Sequence, residues 1–257
     1  MGLLTELPAT DTARTPVDPL VPAPPLAVAA TGLQLDGRRG RIYGPVDLAI
    51  ETGTLNLVTG AAGTGKTSLL LTLVGRMLPN RGADLTVLGR PVPRRAPSVQ
   101  RRSAAVGIHG LDDLDENVTV AATVREREAW LARWYRIVRT PDDARIAQLC
   151  APVFGDDPAP RARQLIHELD EVENLRLRLA LAMLSSPEVV VIDDVDSLHD
   201  LDSRRSLWES LRALTEQGVT VIAAASTGGD LARLGWPDLP NHIALPNPNH
   251  IALPSVR

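Results

Sequence analysis

The stretch LNLVTGAAGTGKTSLLLTLVGRML, Leu55 to Leu78, decides the fold. Leu55 to Thr59 is a short apolar run with strand character, a glycine-rich turn follows, and from Lys66 onward the spacing is helical. Within it GAAGTGKT, Gly60 to Thr67, fits G-x-x-x-x-G-K-[ST], and a place between strand and helix is the context of a true phosphate loop. Glycines at Gly60, Gly63 and Gly65 let the backbone turn tightly. Successive N–H groups from Gly60 through Ala61, Ala62, Gly63, Thr64 and Gly65 to Ser68 can then converge on phosphate oxygens, aided by the positive end of the following helix. Lys66 supplies a flexible point charge for the β- and γ-phosphates and Thr67 a hydroxyl for Mg²⁺. Lys66 is the only lysine among 27 basic side chains, which fits a position where the planar fork of arginine cannot substitute.

A phosphate loop needs a further acidic group for the metal, and VVVIDD, Val189 to Asp194, provides two. Its four apolar residues read as a fully buried parallel strand. Asp193 at its end would hold Mg²⁺ through water, and Asp194 would orient or polarise the attacking water. Working outward, Val46, Leu48 and Ile50 alternate as in a half-buried strand, and Asp84 to Leu88 and Ala104 to Ile108 are further strand candidates. Between the last two lies the Arg/Pro-rich connector PVPRRAPSVQRR. Thr119 to about Ala182 has helical spacing, in VREREAWLARWYRIVR and again in LRLRLALAML, with a break at Pro141. The amphipathic SRRSLWESLRALTEQG then leads into the strand VTVIAAAS. Strands and helices alternating at both ends, with helices inserted between, predict an α/β protein with a parallel sheet.

Length and composition bound the remaining possibilities. At 257 residues, 44% hydrophobic and 23% charged, the chain can bury a large core, so a disordered protein is excluded. A net charge of −4 and 3% aromatics argue against a dedicated nucleic-acid binder, and no stretch reaches the roughly 18 apolar residues of a membrane helix. The single cysteine, Cys150, excludes a disulfide framework. Glu6 and Asp11 precede an apolar stretch broken by prolines, which is not a secretory signal, so the expected compartment is the cytoplasm. Residues 1–27 read as a Pro/Ala-rich arm, 28–240 as the folded domain with a helical subdomain over about 115–182, and 241–257 as a tail. That tail contains a duplication, NHIALPNP from Asn241 and NHIALPSV from Asn249, read as an ordered edge strand plus a duplicated tail.

The order of these features resembles the nucleotide-binding subunit of ABC (ATP-binding cassette) transporters over roughly Leu33 to Ser226. GPVDLAIETGTLNLVTGAAGTGKTSLL carries the front half of the likeness and LRLRLALAMLSSPEVVVIDDVDSLHDLDSRRSLWESLRALTEQGVTVIAAAS the more specific back half. The resemblance implies a P-loop NTPase parallel sheet core with an antiparallel β subdomain and an inserted α-helical subdomain. It also implies ATP with Mg²⁺, a separately encoded membrane subunit, and a homodimer or a heterodimer with another cassette. The chain would then sit at the inner face of the cell membrane through that partner.

Departures from the family pattern are equally specific. Counting back from Arg178 puts Glu171, Val172, Glu173, Asn174 and Leu175 at the L-S-G-G-Q signature, with Val172 in place of the hydroxyl donor and two glutamates repelling phosphate. Asp194 stands one methylene short of the family's catalytic glutamate. His109 falls at the Q-loop glutamine and Ser226 at the switch histidine. His199, in the altered D-loop Ser197 to Asp200, is a second polar group expected near the γ-phosphate. No adenine-stacking aromatic lies in Leu35 to Gly37; Tyr43 substitutes if the register differs. Trp130, Trp134 and Tyr135 read as core of the inserted subdomain, or else as the face that receives the membrane partner's coupling helix. Two functions follow: a slowly hydrolysing transport subunit, or a nucleotide-gated regulatory or binding protein with hydrolysis largely lost.

Overall fold

A computed structural model describes residues 24–80, 82–233, 236 and 240–246. In chain order the first half runs β1 (Leu26–Gly37), β2 (Gly40–Glu51), β3 (Leu55–Thr59), α1 (Lys66–Leu73), β4 (Asp84–Val87), β5 (Arg90–Pro91), α2 (Ala96–Gln100) and β6 (Ser103–Val106). The second half runs α3 (Val120–Leu131), α4 (Asp143–Phe154), α5 (Glu171–Met183), β7 (Val189–Ile192), α6 (Leu201–Glu216), β8 (Thr220–Ala225), α7 (Gly229–Arg233) and β9 (Asn241–Ala244). Among the described residues these strands form two sheets, an antiparallel one ordered β2-β1-β4-β5 and a parallel one ordered β6-β7-β8-β3-β9.

The parallel sheet explains the unbroken apolar runs of its strands. Val190 and Ile192 of β7, with Val221 and Ala223 of β8, face the helices α4, α5 and α6. The alternate residues Val191, Ile222 and Ala224 face α1 and the antiparallel sheet. Both faces are covered, so a period-2 polar alternation has no place. α6 buries Leu207, Leu211 and Leu214 at one-turn spacing, the stripe its amphipathic sequence predicts. Side chains cap the helices: Thr119 accepts from Ala122 N at α3, Asp142 from Arg145 N at α4, and Asp200 from Ser203 N at α6. At α5 Asp170 and Glu173 form a reciprocal capping box.

Several sequence expectations shift. β1 already starts at Leu26, paired with Glu51, because Thr52 N donates to Pro25 O and extends the ladder; the arm boundary at 27 is two residues late. Residues 1–23 of that arm, and the second NHIALP copy, lie outside the described residues. The first copy supplies the expected edge strand, yet inside the domain: β9 pairs in parallel with β3, Asn241 opposite Asn56 and Ala244 opposite Thr59, so the sheet runs past the boundary at 240. The connector before β6 contains the short helix α2. The helical spacing of VREREAWLARWYRIVR is realised only to Leu131. Trp130, Trp134 and Tyr135 are 78%, 95% and 61% exposed, and are not core. Among the described residues no element covers these side chains, and helices owe most of their stability to such packing.

Candidate nucleotide site

β3 delivers the chain into the phosphate loop and α1 leaves it, with Lys66 as the first helical residue. Gly63 and Gly65 have φ of 80° and 85°, in the left-handed region that glycine enters without penalty. A Cβ on Gly65 would come 2.5 Å from Ile42 O, and one on Gly60 2.5 Å from Thr64 Oγ1, so both glycines are required by close approach as well. Thr64 Oγ1 donates to Ala61 O at 2.9 Å and folds the loop on itself. Lys66, 8% exposed, donates from Nζ to Gly60 O at 2.7 Å, so its ammonium already lies inside the cradle. Ala61, Ala62 and Gly63 line the open side, and Ser68 is half-buried in the first turn of α1.

Asp193 follows directly on β7, beside β6 and β8, and its carboxylate accepts a short hydrogen bond from Thr67 Oγ1. This carboxylate is 4% exposed, and burial pushes its pKa up, partly offset by the Thr67 hydroxyl and the Lys66 charge. Asp194 adopts φ 49°, donates its N–H to Asp193 Oδ1 at 3.0 Å and is solvent-exposed. Left-handed backbone at a non-glycine residue costs about 1 kcal/mol or more. It is also one of the conformations that clusters at functional sites, and here it turns a second carboxylate out at the strand end. The neighbouring strand β6 approaches closely because Gly107, φ 74°, has no Cβ; one would stand 2.7 Å from Asp193 O.

The remaining candidates share this carboxyl edge but are not joined to the loop. Ser226 follows β8, and its N–H donates to Asp196 Oδ2 at 2.7 Å while the residue is exposed. His109 is fully exposed, with Nδ1 3.2 Å from Asp113 Oδ2. His199 is exposed too, its Nδ1 3.0 Å from Glu171 Oε2. Tyr43 is unavailable for base stacking: its ring is fully buried and its hydroxyl donates to Thr72 Oγ1 at 2.8 Å. The counted signature register also fails, because Val172 and Leu175 are each 7% exposed and pack inward. What the segment presents instead is Asp170, the α5 N-cap, and Glu171. Both line a cleft of about 570 Å³ with Asp193, Asp194, His167 and His199.

One constellation had no sequence signal. Asp112 accepts from Gly107 N at 3.0 Å and Ile108 N at 2.9 Å, and Arg178 grips it with Nε at 2.8 Å and Nη2 at 2.5 Å. This bidentate pair ties α5 to the loop leaving β6. The two residues are 66 apart in sequence, and nothing local couples them.

Thr67 and Asp193 fit a hydrated Mg²⁺ that arrives with a nucleotide. Their oxygens converge, and the Lys66 charge lies near the buried carboxylate. Among the described residues no group of three or more His, Cys, Asp or Glu could hold a metal, so phosphate oxygens and water would have to complete the shell.

The sequence of residues 43–197, more than half of the chain, matches the family model described as ABC transporter. The chain belongs to the ABC transporter family. Curated relatives of this cassette include the Nod factor export ATP-binding protein I of Cupriavidus pinatubonensis, 27% identical over 181 residues, which covers 70% of this chain and 53% of the relative. The protein of the same name from Burkholderia thailandensis is 30% identical over 173 residues, covering 67% and 54%. The chain thus spans about half the length of the curated relatives it matches. Among solved structures, cbiO1 from Clostridium perfringens, part of the ABC transporter complex cbiONQ, superposes with a TM-score of 0.63 at 15% identity, covering 79% of each chain. An ATP-binding subunit of an ABC transporter does so at 0.64 and 15%, covering 86% and 87%. The cassette fold is therefore that of ABC ATPases, and the family hydrolyses ATP. No helix among the described residues is long and apolar enough to cross a membrane.

Proposed function

We propose that this chain is the ATP-binding, slowly hydrolysing subunit of an ABC transport system and couples ATP to a separately encoded membrane subunit. The observation that carries the reading is the convergence of Lys66, Thr67 and Asp193 under a glycine loop in which packing demands Gly60 and Gly65. Lys66 would exchange Gly60 O for phosphate oxygens, and the loop N–H groups would take the remaining anionic charge. Mg²⁺, held by Thr67 and Asp193, would neutralise charge developing on the β- and γ-oxygens. Asp194 would position the attacking water, but from one methylene further back than a glutamate, which supports slow turnover because positioning supplies the rate. Ser226, without an imidazole, offers only a hydroxyl, and His109 would act only after leaving Asp113.

A second cassette, identical or different, would complete the site across the cleft that Asp170 and Glu171 line. Their charge beside phosphate supports weak closure, and so a better-endowed partner cassette. A groove of about 540 Å³ bordered by Leu111, Leu114, Trp130, Leu131 and the Asp112–Arg178 pair is where the membrane subunit would dock. The test is ATP turnover by the purified chain, with Lys66→Ala as blank and ATP·Mg²⁺ binding measured in parallel. Turnover above the blank that falls with Asp194→Asn supports the reading. Binding without turnover overturns autonomous hydrolysis in favour of nucleotide gating.

A further inference from the structure

The turn after α3 exposes large apolar side chains that nothing in the nucleotide site uses. Trp134 is 95%, Ile137 90% and Tyr135 61% exposed. Trp134 and Tyr135 meet edge to face at 5.7 Å, and Arg133 Nη1 donates to the Tyr135 hydroxyl at 2.9 Å, so the aromatics form one knob. Residues 129–141 hold Arg133, Arg136 and Arg139 and no acid, whereas the whole chain has 27 basic against 31 acidic residues. The three arginines are exposed, and among the described residues none of them has a carboxylate partner. A water-exposed Trp–Tyr–Ile cluster of this size is costly unless something covers it.

We propose that this knob inserts into the interfacial layer of an anionic phospholipid bilayer. Three features favour a bilayer over a protein partner. Trp134 at 95% exposed stands clear of the surface, whereas protein hot spots sit in packed, desolvated pockets. Trp and Tyr are the side chains that settle at headgroup depth, with one end apolar and the other wet. Three exposed arginines with no carboxylate partner among the described residues complement a negatively charged headgroup layer, and their stems can lie along the apolar surface. The inference goes beyond the transporter reading, because it gives this chain a lipid contact of its own.

The experiment is co-sedimentation of the full chain with vesicles of phosphatidylcholine alone and of phosphatidylcholine mixed with phosphatidylglycerol. Binding to the anionic vesicles only is expected, with a blue shift of tryptophan emission. Removing the three arginines (R133A/R136A/R139A) is expected to lower partitioning about tenfold or more at low salt. W134S/I137S should lower it similarly and remove most of the blue shift. Both variants alter only exposed side chains, and circular dichroism checks the fold. No sedimentation, equal binding to both vesicle types, or binding undiminished in both variants overturns the proposal. A dimer that W134S/I137S abolishes, without vesicle binding, overturns it in favour of a second copy of the chain. ATP turnover should be unchanged in both variants, so failure here leaves the nucleotide reading intact.

Discussion

At the scale of single residues, the site's weak point is the length of one side chain. Asp194→Glu restores the missing methylene and is expected to raise ATP turnover about tenfold, while Asp194→Asn lowers it towards the Lys66→Ala blank; a coupled phosphate-release assay reads both. Asp193 makes a different prediction. Burial raises its folded pKa above the ordinary carboxylate value, so the folded state holds its proton more tightly than the unfolded chain does. This group's contribution to stability is therefore present below the unfolded pKa and lost as pH rises through the folded one. Asp193→Asn should accordingly raise the nucleotide-free Tm at neutral pH and flatten its fall between acid and neutral pH. The same change should remove the Mg²⁺ dependence of ATP binding. Thermal melts across pH, with and without Mg²⁺, check both outcomes.

At the scale of elements, helix α5 carries two separate duties. Its buried face, with Leu177 and Leu179 fully enclosed, holds the helices to the sheet, and Leu177→Ala is expected to cost about 2–5 kcal/mol in denaturant unfolding. Its polar face carries the Asp112–Arg178 pair. Asp112→Ala leaves Arg178 half-buried and orphans two backbone N–H groups, and is expected to cost about 1–3 kcal/mol. Arg178→Lys, which keeps the charge without the fork, should recover only part of that loss. The same helix shows where counting fails. The signature register slipped because it was set by sequence distance from Arg178, whereas burial of Val172 and capping by Asp170 decide which residues face outward. α3 shows the converse: a sequence with helical spacing stops at Leu131, where the core it could lean on ends.

At the scale of the whole molecule, the phosphate loop depends on residues at the far end of the chain. β9 zips onto β3, Leu245 N donates to Thr59 O at 2.7 Å, and Thr59 Oγ1 meets His242 Nε2 at 2.6 Å, one residue before the loop begins. A chain ending at Pro240 is expected to melt at lower temperature and bind ATP more weakly, since β3 becomes an open edge. A chain ending at Pro246 keeps the strand and should behave as the parent in both measurements.

The sequence by itself determined the α/β class, the phosphate loop, the acids that answer it and the family, because each rests on residues close in the chain and on hydrogen-bonding demands of short segments. GAAGTGKT and VVVIDD are legible wherever they occur between a strand and a helix. Only the tertiary structure decided that Tyr43 is core, that Trp134 is bare, that the edge strand β9 pairs with β3 and that Asp112 holds Arg178. These are questions of which surface covers which, and they are settled by burial and pairing between residues tens to hundreds of positions apart, for which local spacing carries no signal.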